Sequence, residues 1–406
     1  MRGPVSPRFG SRARLLLPFL ALLVVALGVA AGEVVLAWID PGLTDRDPAS
    51  GDDGLQFYRF HPQVGLFHKS SFSGTYRGIR YETNSRGLRG PEVPQGRTPG
   101  RGRVAVLGDS LVWGFGVPQG ETLCDALATL RPGLDVLNFG VAGFGTGQEL
   151  MLLDAEVLAY RPDHVLLVFT VANDVEDTYF PDSAAAYPAP LFSLDPDTGA
   201  LEVDRFQLSP WQRLGLWLRH NSYLVAAWAE ASASVHAGAG GRVGPANGML
   251  AYNRRRLAHQ HVELSRYAGL HFLQPSDPNT PPAYFARRGG LLVPSPRNHY
   301  KVRLVEQILH EMDRHARAAG SDFAVVLAPF RAQLGDDPVL RNDPLTSELV
   351  RFLAAEKIPH LDLLPPLVAS GDRASALFLD AMHFSPAGNR AVARQIAGAL
   401  LPADSR

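Results

Sequence analysis

The chain has 406 residues, of which 46% are hydrophobic and 19% are charged, so it can bury a large core and is not intrinsically disordered. Lys and Arg total 39 against 40 for Asp and Glu. This balance provides no general electrostatic field that would attract nucleic acid, which excludes a basic nucleic-acid-binding protein. Cys124 is the only cysteine, so no internal disulfide can form. Local chemistry must therefore carry the function.

The N-terminus carries one long apolar segment. Residues Leu15 to Gly32 are almost wholly apolar, which is roughly the length that a helix needs to cross a bilayer. The charged residues on its two sides are Arg2, Arg8, Arg12 and Arg14 before it and Asp40, Asp45 and Asp47 after it. The positive-inside rule then predicts a cytoplasmic tail and a single-pass anchor over residues 1–40. The rest of the chain would lie outside the cytoplasmic membrane.

A cleaved signal peptide is the alternative for this segment. Val29-Ala30-Ala31 is similar to a small-residue cleavage site, and cleavage there would release a secreted protein. The apolar run continues from Val34 to Ile39, which is longer than the core of a typical signal peptide. This length favours the uncleaved anchor.

Residues 41–100 form a predicted N-terminal extension that is rich in Asp, Gly, Pro and Arg. One strand is expected over Ile79–Thr83, before the turn-forming sequence Asn84–Gly87.

From residue 101 to 403, short apolar runs alternate with helical patterns. Strands buried on both faces are predicted at Val104–Leu107, Val165–Phe169 and Phe323–Leu327. Helices are predicted at Thr122–Leu130, at Leu150–Leu158 and after the Ser385-Pro386 start signal. These elements predict an α/β domain with a parallel sheet.

An insertion interrupts this alternation at about residues 181–300. Its predicted parts are a hairpin over Leu191–Val203, an amphipathic helix over Pro210–Ala229 with three tryptophans, and a glycine-rich linker over Ala231–Gly248. Such an insertion can serve as a lid or as a surface elaboration.

Two separate segments carry the residues of a nucleophilic site. The strand that ends at Leu107 leads into Gly108-Asp109-Ser110-Leu111, which places Ser110 at the carboxyl edge of the sheet, where ligands bind. Serine needs a base to become a nucleophile, and that base needs a partner to orient it. Asp380 and His383 lie three residues apart on one loop and can supply the carboxylate and the imidazole.

An acyl-transfer site also needs donors for the oxyanion of its tetrahedral intermediate. The segment Asn138–Gly143 is expected to follow the second strand, and a glycine there lets a backbone N–H approach the substrate. Ala172-Asn173-Asp174 follows the third strand, and the Asn173 amide can point into the same pocket.

The order of these segments resembles the SGNH, or GDSL, hydrolase family, and the segment Thr83–Gly90 is similar to the lead-in of its membrane-anchored bacterial members. The motif blocks that match are Gly108–Leu111, Gly140–Gly143, Asn173-Asp174 and Asp380–His383. The resemblance implies a flavodoxin-like three-layer α/β/α sandwich without a cofactor. It also implies Ser110 as nucleophile, His383 as general base, Asp380 as its orienting partner, and Ser110 N–H, Gly143 N–H and Asn173 as oxyanion donors. The chain has Val171 where the family usually has glycine, which predicts a narrower pocket wall.

Three functions follow from these patterns. The first is a metal-free serine esterase that acts on an ester-bearing small molecule, lipid or glycan through an acyl-Ser110 intermediate. The second is an O-acyltransferase that uses the same intermediate with a glycan hydroxyl as acceptor. The third is an envelope binding protein that retains the fold without turnover.

A zinc-protease motif is not expected, because His310 and His315 are five residues apart and diverge by about 140° on a helix.

Overall fold

A computed structural model describes residues 11–45, 53–179, 187–195, 197–238, 252–256 and 296–401. The chain divides into two compact units. The first, here called the helical unit, contains Met1–Gln56 and Leu208–Asn247. The second, called the sheet unit, contains Phe57–Gln207 and Gly248–Arg406.

The named strands are, in chain order, β1 (Tyr58–His61), β2 (Gly65–His68), β3 (Ser73–Tyr76), β4 (Ile79–Glu82), β5 (Gly102–Gly108), β6 (Leu134–Gly140), β7 (His164–Thr170), β8 (Leu191–Leu194), β9 (Leu201–Asp204), β10 (Asp322–Ala328) and β11 (His360–Asp362).

The named helices are, in chain order, α1 (Ser11–Ile39), α2 (Ser110–Trp113), α3 (Leu123–Leu130), α4 (Thr146–Leu152), α5 (Asp174–Tyr179), α6 (Pro210–Asn221), α7 (Tyr223–Gly238), α8 (Pro296–Ala318), α9 (Pro338–Arg341), α10 (Pro344–Ala355), α11 (Leu364–Ala369), α12 (Ala374–Leu377) and α13 (Pro386–Ala399).

The core of the sheet unit is a five-stranded sheet with the order β11-β10-β7-β5-β6, in which every pair is parallel. Counted along the chain, this order is 2-1-3-4-5, which is the doubly wound flavodoxin-like topology. The predicted fold class is confirmed. The strand order reverses between β5 and β7, because β6 is added on one side of β5 and the later strands on the other. Ligands bind at the carboxyl edge beside such a switch point.

The three predicted strands of this sheet are present as β5, β7 and β10, each longer than predicted. Their central residues are buried because helices cover both faces. Strand β6 includes Asn138–Gly140, so the prediction that these three residues follow the strand was wrong.

Two of the three predicted helices begin as the capping residues indicate. Thr122 caps α3 in a reciprocal capping box with Asp125, and Ser385 caps α13 with Pro386 in the first turn. The predicted helix over Leu150–Leu158 instead begins at Thr146 and continues after Leu152 as a π turn and a 3-10 turn. Every residue of α4 is buried, so no amphipathic period marks its start.

The extension contains more structure than its sequence predicted. It forms two antiparallel hairpins, β1–β2 and β3–β4, of which only β4 was expected. Four-residue strands are too short for a period of two to stand out. Phe57, which precedes β1, packs around Trp113 of α2 together with Tyr76 and Tyr81 of the second hairpin.

The insertion differs from its prediction in one helix. The hairpin β8–β9 is present as predicted. The single helix predicted over Pro210–Ala229 is instead two helices, because Ser222 adopts an extended conformation between α6 and α7. Helix α7 continues to Gly238, into the predicted linker, and the rest of that linker lies outside the described residues.

Candidate active site

Ser110 is placed by the sharp turn between β5 and α2. Asp109 caps this short helix, since its Oδ1 accepts hydrogen bonds from Leu111 N at 2.9 Å and from Thr170 Oγ1 at 3.0 Å. Thr170 ends β7, the strand on the other side of the switch point. The cap therefore anchors Ser110 at the carboxyl edge of the two central strands.

The structure brings Ser110, His383 and Asp380 together. Ser110 Oγ lies 2.9 Å from His383 Nε2, and His383 Nδ1 lies 2.7 Å from Asp380 Oδ2. The backbone N–H groups of Met382 and His383 donate to Asp380 Oδ1, both at 2.8 Å. Partial burial opposes ionisation of Asp380, but these hydrogen bonds together hold the pKa of its carboxyl below the ordinary value.

Contacts on two sides hold the loop that carries His383. Arg331 N donates to Ala381 O at 2.9 Å, which ties the loop to the chain that follows β10. The ring of Phe115, just after α2, lies with its centroid 4.9 Å from that of His383. The imidazole is thus positioned by its carboxylate and by an aromatic neighbour.

Two backbone N–H groups are available at this edge. Those of Ser110 and Gly143 have no hydrogen-bond partner within the described part of the chain. Gly143 has a φ of +82°, a conformation that side chains other than glycine rarely adopt.

Gly140 is required for a different reason. A Cβ atom there would lie 2.1 Å from Trp113 N, so glycine allows α2 to pack directly on the end of β6. Asn138 reinforces this contact, because its Nδ2 donates to Val112 O at 2.8 Å while its Oδ1 accepts from Gly140 N at 2.9 Å. Gly140 and Asn138 therefore support α2, the helix that begins with Ser110.

Asn173 lies beside the serine turn, with its amide hydrogens directed at carboxylates. Its Nδ2 donates to Asp109 Oδ2 at 3.2 Å and to Asp177 Oδ2 at 2.7 Å. Its Oδ1 is buried and has no partner within the described residues. In this geometry the amide braces the turn, and donation to an oxyanion requires one of the two bonds to be shared or exchanged.

Sequence reasoning missed a group of buried acids beneath the site. Asp109, Glu149 and Asp174 are fully buried. Burial, reinforced by the neighbouring carboxylates, raises the pKa of Glu149 and that of Asp174 well above the ordinary values. Burial also raises the pKa of Asp109. Asp174 belongs to a recognised motif block, whereas no sequence signal marks Glu149, which lies on the wholly buried α4.

Sequence reasoning also missed the role of Arg89 in the extension. Its buried guanidinium donates to the carbonyl oxygens of Trp113 at 2.9 Å, Gly114 at 2.6 Å and Val117 at 2.7 Å. Burial lowers the pKa of Arg89 to about 10, so the group stays charged at neutral pH. Arg89 therefore holds the end of α2 and the chain that leads to Phe115.

Within the described ranges, no group of three or more His, Cys, Asp or Glu residues is arranged to hold a metal ion. His310 and His315 instead lie next to carboxylates, at 3.0 Å from Glu356 and 2.7 Å from Asp154.

The fold and the site define an α/β protein with a Ser-His-Asp arrangement at its sheet edge. No model of a protein family matches the chain, and no curated protein matches it. Among solved structures it is similar to an acetylxylan esterase from Geobacillus stearothermophilus (12% identity, TM-score 0.39, 76% of this chain and 99% of that one covered). It is also similar to a member of the lipolytic protein G-D-S-L family from Veillonella parvula (12% identity, TM-score 0.34, 73% of this chain and 97% of that one covered). A third similar structure is the psychrotrophic esterase EstA from Pseudoalteromonas sp. (12% identity, TM-score 0.35, 74% of this chain and 96% of that one covered). At these low values the similarities assign no role to any residue.

Proposed function

We propose that this protein is a serine esterase of the SGNH type that forms an acyl-Ser110 intermediate. The observation that carries the proposal is the continuous hydrogen-bonded path from Ser110 Oγ through His383 to Asp380. Such a path is what a serine hydroxyl requires to become a nucleophile at neutral pH.

In the first half of the reaction, Ser110 Oγ attacks the ester carbonyl carbon while its proton moves to His383 Nε2. The tetrahedral intermediate collapses, the ester C–O bond breaks, and the alcohol leaves with that proton. In the second half, water attacks the acyl carbon while His383 Nε2 takes a proton from it. The second tetrahedral intermediate collapses, the bond between the acyl carbon and Ser110 Oγ breaks, His383 returns the proton to Oγ, and the acid leaves. Asp380 keeps the imidazole in the required tautomer and stabilises its charged form.

The oxyanion is stabilised in this proposal by the N–H groups of Ser110 and Gly143 and by the Asn173 amide. The two backbone groups support it because they have no other partner within the described residues. Fixed donors at this position stabilise the transition state more than the bound ester.

A small apolar cluster supports an acyl substituent as the group transferred. Ala172 and Phe330 are buried and contact Leu340 and Met382. Ala172 precedes Asn173 and Met382 precedes His383, so the cluster borders both residues. Val171 directly precedes Ala172, and its bulk in place of a glycine predicts a narrower pocket wall, which favours short acyl groups.

The proposal is tested with a fluorophosphonate probe and a panel of acyl esters of graded length. Wild-type protein should be labelled at Ser110, and Ser110→Ala and His383→Ala should lose both labelling and turnover. Adding a sugar acceptor distinguishes the reactions, because a sugar-ester product would identify an acyltransferase. An unlabelled wild-type protein that turns over no ester would overturn both enzymatic functions and favour the binding protein.

We further infer that α1 anchors the protein in the cytoplasmic membrane, with the sheet unit on its outer side. Over Leu16–Ile39 this helix is long and apolar enough to cross a membrane, a property that signal sequences share. The arginines before it support the orientation. Protease added to spheroplasts should digest the sheet unit. A protected sheet unit would reverse the orientation, and a mature N-terminus near Gly32 would show a cleaved signal.

A further inference from the structure

The helical unit joins the apolar helix α1 to the insertion helices α6 and α7. Helix α1 contacts α7 along one side, where a Cβ atom on Gly32 would lie 3.2 Å from Leu224 Cδ2. The Glu33 carboxylate, inside the apolar run, accepts hydrogen bonds from Ser222 Oγ and Tyr223 N, both at 2.6 Å. Glu33 therefore fastens the α6–α7 junction to α1.

The position of Glu33 sets the depth of this junction relative to a bilayer. Glu33 is six residues before Ile39, which corresponds to about 9 Å along a helix. It also lies about 26 Å from Leu16, the other end of the span, and the hydrocarbon layer is about 30 Å thick. The α6–α7 junction is thus placed near the boundary between hydrocarbon and headgroups.

Helices α6 and α7 expose large aromatic side chains. Trp211, Trp217 and Trp228 are 80%, 59% and 61% exposed, and Leu214 is 42% exposed. Trp211, Leu214 and Trp217 are spaced three residues apart, so they occupy an arc of about 120° on α6. Tryptophan is the residue that favours the membrane interface, because its ring is apolar and its N–H is polar.

The charge of α6 fits the same environment. The helix contains Arg213 and Arg219 and no acidic residue. Basic side chains beside an aromatic face are typical of helices that lie in the headgroup layer of anionic membranes.

We propose that α6 and α7 form a membrane-interface platform, in which Trp211, Trp217 and Trp228 insert into the headgroup layer of the bilayer that α1 spans. The proposal rests on the proposed anchoring role of α1. The occupant of the exposed tryptophan face is phospholipid, and the platform gives the protein a second, lateral attachment to the membrane surface.

The test measures tryptophan fluorescence of the full chain in vesicles of phosphatidylcholine and phosphatidylglycerol, with or without brominated acyl chains. All proteins carry Trp38→Phe, which removes the tryptophan of the anchor, while the buried Trp113 remains as a constant background. Brominated lipid should quench most of the emission. The triple variant Trp211→Gln, Trp217→Gln and Trp228→Gln should lose nearly all of that quenching, and Leu130→Gln, at an exposed position on α3, should retain it.

Alkaline carbonate extraction of the same vesicles separates the two proposals. A protein that resists extraction but is not quenched by brominated lipid overturns the platform and leaves the anchor standing. A protein that is extracted yet is quenched while bound would show that the tryptophans reach lipid without a membrane-spanning α1, which overturns the anchor and, with it, the platform as proposed here. A protein that is extracted and unquenched also overturns both. Protection of the tryptophans from brominated lipid and from aqueous acrylamide would show that a second copy of the chain covers this face, which also overturns the platform. Unchanged hydrolysis of a soluble ester by the triple variant checks that it is folded.

Discussion

At the scale of single residues, the amide of Asn173 is shared between bracing the turn and the proposed stabilisation of the oxyanion. Its bond to Asp109 is long, at 3.2 Å, whereas its bond to Asp177 is short, at 2.7 Å. The weaker bond is the one that an oxyanion could replace without releasing the side chain.

We expect Asn173→Ala to lower kcat by about 10²–10³ with KM nearly unchanged, because the donor acts mainly in the transition state. Steady-state kinetics and a thermal midpoint, measured on one preparation, check this. A destabilised variant with normal kcat would limit Asn173 to bracing the turn and leave Ser110 N–H and Gly143 N–H as donors.

The buried pair Glu149 and Asp174 makes a second prediction at this scale. Because burial raises both pKa values, the folded protein binds protons that the unfolded chain releases above its ordinary carboxyl pKa of about 4. The free energy of unfolding should therefore decrease as pH rises from about 4 through the raised values. Glu149→Gln should remove part of this decrease in the free energy of unfolding, and it should stabilise the protein at pH 8 by about 1–2 kcal/mol.

Urea unfolding of wild type and Glu149→Gln at several pH values measures the difference. The matched control is Glu121→Gln, since Glu121 is an exposed glutamate of the same unit. Equal pH dependence in wild type and Glu149→Gln would show that Glu149 does not bind a proton in the folded state.

At the scale of elements, the four-residue helix α2 depends on its neighbours for stability. Asp109 caps its beginning, and Arg89 binds the carbonyl groups at its end. A helix this short cannot persist from its own hydrogen bonds. The hairpin extension therefore contributes directly to the geometry of the serine.

Arg89→Met should destabilise the protein by about 3–5 kcal/mol, since buried carbonyl groups lose a charged donor. It should also lower the rate of fluorophosphonate labelling in the fraction that remains folded. Arg89→Lys should recover only part of the stability. The ammonium keeps the positive charge, but it cannot reach several carbonyl groups at once.

Arg80→Met provides the control for this prediction. Arg80 lies in the same extension and pairs with Glu82, but its side chain is 70% exposed. An exposed ion pair contributes about 0–1 kcal/mol, so this variant should unfold like wild type. Similar losses in both variants would contradict a specific role for Arg89.

At the scale of the whole molecule, the attachment of the hairpins to the α/β core depends on a neutral histidine. His68 ends β2 and stacks on Trp113 of α2, with ring centroids 3.8 Å apart. Burial lowers the pKa of His68 to about 3 from its ordinary 6.5. At any pH between these two values, His68 binds a proton more readily in the unfolded chain than in the folded protein.

The free energy of unfolding should therefore fall as pH decreases from 6.5 towards 3, by roughly 4 kcal/mol from His68 alone. His68→Phe should flatten this dependence while keeping an aromatic ring against Trp113. Denaturant unfolding between pH 4 and 7 measures it, with His310→Gln as the exposed control. A steep acid dependence that persists in His68→Phe would mean that other groups cause it.

Much of the architecture was predictable from the order of residues alone. The continuous apolar runs of β5, β7 and β10 predict buried parallel strands, because both of their faces meet helices. The capping residues Thr122 and Ser385 mark helix starts through their own side chains. The candidate triad was also legible, since Asp380 and His383 share one loop and Ser110 follows a strand.

What only the tertiary structure decided involves groups whose role depends on distant partners. The break at Ser222 is stabilised by Glu33, 189 residues away, so no local pattern reveals it. Arg89 reads as one more charged residue of a polar extension until α2 packs against it. The direction of the Asn173 amide depends on Asp109 and Asp177, whose carboxylates meet only in the folded protein.

Sequence alone determined the local elements and the chemical types at the sheet edge, because propensity and periodicity act over neighbouring residues. Long-range hydrogen bonds and burial determined how those groups are oriented and charged, because they exist only after the chain has folded.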